Sequence, residues 1–260
     1  MQKMQIVILT CIHGRHDVAS LMLKHHTELA AGLRESCGWD FQLAAVMSPD
    51  DAAAMSPVCE VLGVRWWTHQ NEPVSVKWQA GLAFVRESFP AADAVMIIGS
   101  DDFMSVAYMT QCASAIAYRH SLGFGPDRCW MLSAATGRLG LWRRPVDRGI
   151  HGIPCGAGRT FSRELLDCVN WRLWRGNKNT GLDTLCSNRL RKLGYSLDLM
   201  AMTDRGPRAV IDVKTADNIH GWGSIPYAEV LEPPAATFHI GELGLACCLE
   251  LCNDPFAIAD

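Results

Sequence analysis

The sequence predicts an α/β fold with a mostly parallel, Rossmann-like central sheet and helices on both of its faces. Strand-like and helix-like segments alternate over the first 120 residues, an order that produces parallel strands joined by crossover helices. The strand-like segments are continuous apolar runs, as expected for strands that are covered on both faces. Hydrophobic residues make up 49% of the 260 residues, so the chain can bury one sizeable core.

The predicted elements follow in a regular order along the chain. Apolar runs predict strands at 4–12, 40–48, 64–69 and 93–100. Apolar residues at helical spacing predict helices at 17–36, 51–63, 74–89 and 109–123. Later segments are mixed: two extended stretches over 129–144, a glycine-rich loop with a helix over 149–169, a helix over 181–195, and a strand with a loop over 209–224. This change of pattern indicates two halves of different character.

Composition and charge argue against several classes of protein. The net charge is −3 at pH 7, so no bulk basic field predicts nucleic-acid binding. No run of 18 apolar residues predicts a membrane span, and the first residues lack the apolar region and cleavage site of a signal peptide. The eleven cysteines are scattered, odd in number and without a Cys-x-x-Cys pair. We therefore expect reduced thiols in a cytoplasmic protein, and no structural zinc site.

Two adjacent carboxylates, Asp101 and Asp102, end the fourth predicted strand. Ligands of open parallel sheets bind beyond the carboxyl ends of the strands. We therefore expect the ligand site at the strand exits 10–15, 48–51, 69–72 and 99–102. The two carboxylates would repel each other, and burial would disfavour their charged forms unless a cation such as Mg²⁺ or Mn²⁺ lay beside them. Alternatively, Asp102 caps the following helix by accepting its backbone N–H groups.

Six motifs occur in a characteristic order along residues 5–195. They are "TCIHGR" and "SPDD" at the first two strand exits, "VSVKWQAGL" in a helix, "GSDDFM" at the fourth strand exit, "GAGRTFSRELLD" and "LDTLCSNRLRKLG". In this order they resemble the motifs of the family-2 glycosyltransferases of the GT-A fold. The sequence departs from that family at Gly99, where an Asp-x-Asp motif usually begins, and at Leu182, where a Glu-Asp pair usually begins.

The resemblance implies a donor site for a nucleotide sugar, with a UDP-sugar favoured. The donor-binding residues would be Thr10, Arg15, Asp50, Asp51, Lys77, Ser100 and Asp101. Mn²⁺ or Mg²⁺ would be held by Asp101, Asp102 and a histidine far along the chain, for which His220 is the candidate. Arg15 and Lys77 would neutralise the diphosphate, although a lysine on a helix is commonly just solvated.

The resemblance also implies an inverting transfer, in which Asp183 is the general base that takes the proton of the acceptor hydroxyl. The acceptor-binding residues would be His151, Gly156, Arg159 and Trp174. Two of these roles have structural alternatives, since Asp183 could cap a helix and Trp174 could pack in the core. The acceptor is not identified. A nucleic acid is one candidate, because the segment 171–178 combines arginine, lysine and tryptophan.

On this resemblance the chain is one GT-A-like domain over 1–260. A nucleotide-sugar-binding half at 1–125 precedes an acceptor and catalytic half at 126–225 and a C-terminal tail at 226–260. Two other functions stay open. A sugar-nucleotide pyrophosphorylase has a similar sheet, but it needs a Gly-x-Gly-Thr-Arg loop after the first strand, where "TCIHGR" has one glycine. A binding protein that has lost its chemistry would account for Gly99 and Leu182.

Overall fold

The computed structural model describes residues 4–143, 152–204, 206–216, 218 and 221–252. The strands in this part of the chain are β1 (Gln5–Ile12), β2 (Asp40–Met47), β3 (Arg65–Thr68), β4 (Ala94–Gly99), β5 (Asp102–Met104), β6 (Gly123–Pro126), β7 (Arg128–Ser133), β8 (Leu139–Arg143), β9 (Arg159–Ser162), β10 (Asp198–Met200), β11 (Val210–Lys214) and β12 (Glu229–Leu231). The helices are α1 (His16–Cys37), α2 (Pro49–Leu62), α3 (Val74–Ser88), α4 (Val106–Ala117), α5 (Arg163–Cys168), α6 (Leu182–Lys192) and α7 (Pro233–Glu242). Short 3-10 segments lie at Trp222–Ser224 and Ala246–Cys252.

The first sheet contains the parallel strands that the sequence predicts. Its order is β10-β6-β9-β4-β1-β2-β3, and β4, β1, β2 and β3 run parallel to one another. Alternate residues of β1 enter two separate cores. Ile6 and Ile8 belong to the core that contains residues of α1, α2 and α4, whereas Val7 and Leu9 belong to the core with residues of α3, α5 and α6. Helices therefore cover both faces of the sheet, which confirms the predicted fold class.

The second sheet has the order β12-β8-β7-β11-β5 and is mostly antiparallel. Its strand β5 begins three residues after the end of β4 and pairs antiparallel with β11. This pairing sets Asp102 opposite Asp212. The sequence did not predict β5, because a three-residue strand is too short to show a period.

The alternative role of Asp102 as a helix cap is wrong. The helix expected at 109–123 is α4, which begins earlier, at Val106. Its N-cap is Ser105, whose hydroxyl accepts the backbone N–H of Tyr108 at 3.2 Å. Asp102 lies in β5 instead, so its carboxylate does not cap α4.

The C-terminal segment from residue 226, predicted only as a tail, contains β12 and α7. Ile240, Leu245 and Cys248 are fully buried and join the core that α1 also enters. This segment is therefore part of the packed fold as far as residue 252. No helix in the described residues combines the length and the apolarity that crossing a membrane requires.

Candidate functional site

The predicted strand exits meet at one edge of the first sheet. Because β1, β2 and β4 are parallel, their carboxyl ends lie on the same side, and two contacts across this edge join them. The guanidinium of Arg15 donates to Asp101 Oδ2 at 2.5 Å. The backbone N–H of Gly14 donates to Asp51 Oδ1 at 2.8 Å. The loop after β1 therefore touches the exits of both neighbouring strands.

The backbone of this first loop is strained at Arg15, whose side chain contacts the Asp101 carboxylate. Gly14 and Arg15 both have left-handed backbone conformations, with φ of 57° and 46°. A non-glycine residue adopts this conformation only at a cost in free energy, and such residues concentrate at functional sites. Arg15 is also the N-cap residue of α1, so the helix start and the arginine position are set together.

Asp101, Asp102 and Asp212 form a cluster that we call the carboxylate triad. One oxygen from each lies within 4.8 Å of the others. Asp101 and Asp102 are buried, at 8% and 5% exposure, and the side chain of Asp212 is 18% exposed. The backbone N–H of Gly99 donates to Asp102. A Cβ atom at position 99 would lie 2.8 Å from Asp101 Oδ1 and 2.9 Å from Asp102 Oδ2, so glycine is what allows the two carboxylates to fold back over the end of β4.

Asp212, Lys214 and Asn218 also belong to this site, although the sequence did not predict them. Lys214 Nζ donates to Asp212 Oδ2 at 2.6 Å, and Asn218 Nδ2 donates to Asp101 Oδ2 at 2.7 Å. The other oxygen of Asp212, Oδ1, is buried and has no hydrogen-bond partner among the described residues. A single Asp inside the apolar run "VIDVK" was the available signal, because a carboxylate in a buried strand needs a partner.

The charges of the carboxylate triad are incompletely balanced. Burial, Asp212 and Asp101 raise the pKa of Asp102 well above its usual range. Burial and Asp101 raise the pKa of Asp212 to about 7, although Lys214 opposes this shift. Among the described residues, Arg15 and Lys214 are the cations that contact this triad, so Asp102 and Asp212 hold protons more readily than free carboxylates do unless another cation enters. An all-oxygen donor set with an unpartnered, buried oxygen fits a hard divalent cation such as Mg²⁺ or Mn²⁺.

Asp51 forms a second polar centre at the same edge, and its carboxylate is satisfied by the chain itself. Oδ1 lies 3.0 Å from His16 Nε2 as well as accepting from Gly14, and Oδ2 accepts from the Ser48 hydroxyl at 2.7 Å. Ser48 and Asp51 also form the capping box that begins α2. These hydrogen bonds hold the pKa of Asp51 well below its usual range, even though burial opposes the shift. Asp51 therefore fixes the first loop, and its contact with a nucleoside stays a prediction.

The remaining predicted donor residues occupy different environments around this edge. Lys77 is 2% exposed, and its ammonium donates to the Ile12 carbonyl and, at 2.6 Å, to Asn71 Oδ1, so it is not a solvated surface lysine. The hydroxyl of Thr10 is buried without a hydrogen-bond partner among the described residues. Ser100 is buried, and Asp50 is exposed.

The predicted acceptor residues Gly156 and Arg159 lie beside Asp183. Strand β9 is antiparallel to β4, with Arg159 opposite Ile97, so the chain before Arg159 extends past the end of β4 toward the carboxylate triad. A Cβ atom at Gly156 would lie 2.7 Å from Asp183 Oδ1. Asp183 is therefore at the same sheet edge as the strand exits.

Buried Arg159 holds the residues around Asp183 together. Its guanidinium donates to the backbone carbonyls of Pro154, Cys155 and Asp183, the last at 3.0 Å, and lies 3.9 Å from Asp183 Oδ1. Asp183 stands in the first turn of α6, whose N-cap is Gly181, so it does not cap the helix. Its side chain is 39% exposed, which leaves the carboxylate reachable from solvent.

The structure places Trp174 in the core. Trp174 is 7% exposed, its ring centroid lies 5.9 Å from that of Trp78, and its indole N–H donates to the Leu182 carbonyl at 3.1 Å. These contacts hold the start of α6, which carries Asp183, in place. The Trp174 ring is buried, so it is not accessible for stacking on an acceptor. His151 and His220, predicted as acceptor and metal residues, lie outside the described residues.

Comparisons with known proteins bear on the fold. No family model matches the sequence, and no curated protein matches it. S. aureus TarS 1–349 matches with a TM-score of 0.53 and 10% identity over 81% of this chain. TarS in complex with UDP-GlcNAc matches with a TM-score of 0.56 and 10% identity over 83%. In both cases this chain spans 60% of the length of the TarS chain.

A 4-diphosphocytidyl-2C-methyl-D-erythritol synthase from Anaerococcus prevotii matches with 13% identity over 93% of this chain and 96% of its own, but its TM-score of 0.48 is too low to carry an argument. The likeness to TarS supports the fold that the motifs predict. The chain therefore has a GT-A-like fold. An identity of 10% establishes the fold alone and leaves the activity to be argued from the site.

Proposed function

We propose that this protein transfers a sugar from a nucleotide sugar to an acceptor hydroxyl, with inversion at the anomeric carbon. The observation that carries the proposal is the meeting of Arg15 with the carboxylate triad, at the sheet edge that Asp183 shares. A nucleoside diphosphate needs cations at its phosphates, and an acceptor hydroxyl needs a base. Residues that could meet both requirements lie at one edge of a GT-A-like fold.

The donor diphosphate would bind between the first loop and the carboxylate triad. Asp101, Asp102 and Asp212 would hold Mn²⁺ or Mg²⁺, with Arg15 as a fixed positive charge beside them. When bound, such an ion supplies Lewis-acid stabilisation for a departing diphosphate. Lys214 keeps Asp212 in place by its 2.6 Å hydrogen bond, and Asn218 does the same for Asp101. The donor is a UDP-sugar in this proposal, consistent with the UDP-GlcNAc bound to TarS.

Asp183 would take the proton of the acceptor hydroxyl as that oxygen attacks. Its carboxylate is reachable from solvent, while buried Arg159 fixes the helix start that carries it. Gly156 leaves the space directly beside the carboxylate free of a side chain. A base positioned by a rigid helix start can accept a proton without rearranging, which is how general bases gain their effect.

The surface around α6 favours an anionic acceptor. Arg172, Arg175 and Lys178 are exposed, and within the described part of the chain no carboxylate lies within 4.0 Å of their cationic groups. Burial and the charges of Arg175 and Arg172 lower the pKa of Arg189, which indicates that these cations lie close together. A nucleic acid is the acceptor that we would test first, because a group of exposed basic side chains suits a phosphate backbone.

The test is a panel of nucleotide sugars with Mn²⁺, read by mass for sugar transfer or hydrolysis and by thermal unfolding for binding. We expect UDP with Mn²⁺ to raise the melting temperature more than either alone, since only ligands of the folded form stabilise it. Asp101→Asn should abolish this increase. Asp183→Asn should retain it, but its turnover should fall on the order of 100-fold or more.

The matched control is Glu87→Gln, an exposed carboxylate on α3, which should behave as the wild type. If no nucleoside diphosphate stabilises the protein with Mn²⁺, the donor site is wrong. If UDP binds but no donor in the panel reacts, the chain is a nucleotide-sugar-binding protein without transferase activity.

A further inference from the structure

A thiol–imidazole pair lies outside the candidate site. Cys247, in the C-terminal 3-10 segment, has its Sγ atom 3.4 Å from Nδ1 of His25 on α1. His25 is 7% exposed, whereas Cys247 is only partly buried and can be reached from solvent. Neither residue belongs to the donor, metal or acceptor groups described above.

The hydrogen bonds of His25 determine its tautomer, and so which ring nitrogen can accept the proton of the thiol. Its Nε2 lies 3.0 Å from the Met104 carbonyl, which can only accept, so Nε2 carries the hydrogen and Nδ1 presents its lone pair to Cys247. His26 is different, because both of its nitrogens are used. Its Nδ1 donates to the Met22 carbonyl and its Nε2 accepts the Met104 N–H. Only His25 has a nitrogen left for proton transfer from the thiol.

The surrounding groups favour the thiolate and imidazolium forms. A hydrogen bond from Cys248 and the contact with His25 lower the pKa of Cys247 to about 5, against the effects of burial and Glu250. Burial opposes protonation of His25, but Cys247, the Met104 carbonyl and Glu28 together raise its pKa. His26, the remaining titratable neighbour, stays neutral, since burial lowers its pKa to about 3.

Other cysteines of the chain lie in environments that suppress the thiolate. Burial raises the pKa of Cys59 to about 11, of Cys112 to about 12 and of Cys186 to about 11. Cys37 and Cys168 are more exposed than Cys247 but have no histidine hydrogen bond among those described. The most exposed cysteines are therefore not the one that contacts a histidine. An experiment can thus separate the effect of solvent exposure on thiol reactivity from the effect of the histidine.

We propose that Cys247, activated by His25, is a modification site at which peroxides oxidise the thiol to a sulfenic acid. The thiolate sulfur attacks one peroxide oxygen, the S–O bond forms and the O–O bond breaks. Sulfur loses two electrons, and the peroxide is reduced to hydroxide, which becomes water by taking the proton of the His25 imidazolium. The thiolate is the reacting species in this chemistry, so the rate follows the thiolate fraction.

The first test is alkylation of the native protein with limiting iodoacetamide at pH 6.5, followed by peptide mass mapping. An ordinary thiol is about 1% thiolate at this pH. We expect Cys247 to react at least ~10-fold faster than exposed Cys37. Between pH 6 and 8 the Cys247 rate should stay nearly constant, whereas the rate of an ordinary thiol rises about tenfold per pH unit. A Cys247 rate equal to or below that of Cys37 overturns the proposal without any variant being made.

The second test separates the imidazole from the thiol. His25→Gln keeps a donor for the Met104 carbonyl but removes the base, and it should lower the Cys247 rate to that of Cys37. His120→Gln, which changes an exposed histidine, is the matched control and should leave the rate unchanged. With hydrogen peroxide and a dimedone trap, wild-type protein should gain one adduct, at Cys247. Fast alkylation without this adduct, or an unchanged rate in His25→Gln, contradicts the assignment.

Discussion

Asp51 and the carboxylate triad lie at the same sheet edge, yet their carboxylates are held in opposite ways. The oxygens of Asp51 accept from Gly14, His16 and Ser48, and these hydrogen bonds lower its pKa. In the triad the carboxylates face one another, and burial and mutual repulsion raise the pKa values of Asp102 and Asp212. Asp51 and Asp102 are each only 5% exposed, but Asp102 lies deeper in the protein, so burial and the neighbouring carboxylates together raise its pKa, whereas hydrogen-bond donors lower the pKa of Asp51.

The difference separates an acidic residue that the fold itself satisfies from acidic residues that could still bind a ligand. Backbone and hydroxyl donors complete Asp51, so a bound cation would add nothing to it. Within the described part of the chain, the triad has one carboxylate more than its two cations, Arg15 and Lys214, and one of its oxygens has no hydrogen-bond partner. Acidic residues at the same sheet edge can therefore have opposite roles, and substitutions should separate them.

The largest effect is expected at Asp51. Asp51→Ala removes the acceptor of several buried donors and the reciprocal half of the capping box, so the free energy of unfolding should fall by about 3–5 kcal/mol. Chemical denaturation at pH 7 measures this change. Asp50→Ala, which removes the neighbouring but exposed carboxylate, should stay within about 0.5 kcal/mol of the wild type. Similar decreases in the free energy of unfolding for the two variants would contradict the structural role of Asp51.

A smaller and opposite effect is expected at Asp102. Asp102→Asn imitates the protonated side chain, so the metal-free protein at pH 8 should be as stable as the wild type or about 1 kcal/mol more stable. Its affinity for Mn²⁺ should fall by roughly 30-fold, or about 2 kcal/mol, because a charged ligand is lost. Thermal unfolding and titration calorimetry measure the two quantities. With Asp17→Asn as the exposed control, equal Mn²⁺ affinities would exclude Asp102 from the metal site.

The contributions of the triad and of Asp51 to folding stability should also depend on pH with opposite signs. The folded-state pKa of Asp212 is raised from its ordinary value of 3.8 to about 7, so the folded protein holds a proton that the unfolded chain releases. Metal-free stability should therefore fall as pH rises from about 4 to about 7, by at most about 1.4 kcal/mol per pH unit from this group. Mn²⁺ affinity should rise over the same window.

The pKa of Asp51 is lowered, so its contribution is complete above about pH 4, near its unfolded pKa, and is lost only in more acidic solution. Between pH 5 and 8 it should contribute no slope. Stability curves of metal-free wild type and Asp212→Asn, recorded from pH 4 to 8, isolate the contribution of the triad. Parallel curves for the two proteins would contradict the raised pKa of Asp212.

The sequence predicts the fold class well because the buried strands are continuous apolar runs. The parallel order and the shared edge of the strand exits follow from these runs and from the helices between them. The second sheet is less predictable, because β5 is very short and its partner β11 comes more than a hundred residues later. Pairing between distant strands leaves no local pattern in a single sequence.

The candidate site is predicted only where its residues end an apolar run. Asp101 and Asp102 stand at such an end, and Arg15 follows a glycine in the first loop. Asp212 lies inside a strand, where alternation suggests a solvent-facing side chain, and only its register with Asp102 gives it a role. Lys77 shows the same limit, since its burial depends on the packing of α3 against β1.

The smallest effect on ligand affinity is expected at Arg15, where two contributions to stability oppose each other. Arg15→Gly relieves a left-handed backbone conformation, worth about 1 kcal/mol, but it removes an ion pair with Asp101 in which both side chains are largely buried. The free energy of unfolding should therefore fall by about 1–3 kcal/mol, because a proton taken up by the triad replaces only part of the lost charge. The affinity for UDP without metal should also fall about tenfold, because a cation leaves the proposed diphosphate site.

Gly14→Ala is the matched control for this prediction. Position 14 is also left-handed, and a Cβ atom there would meet open space, so the variant adds backbone strain while it keeps the Arg15 charge. It should lose about 1 kcal/mol of stability and retain UDP affinity. If Arg15→Gly keeps its UDP affinity in calorimetry, Arg15 serves only to balance Asp101, and the first loop would then resemble the Asp51 centre in being structural.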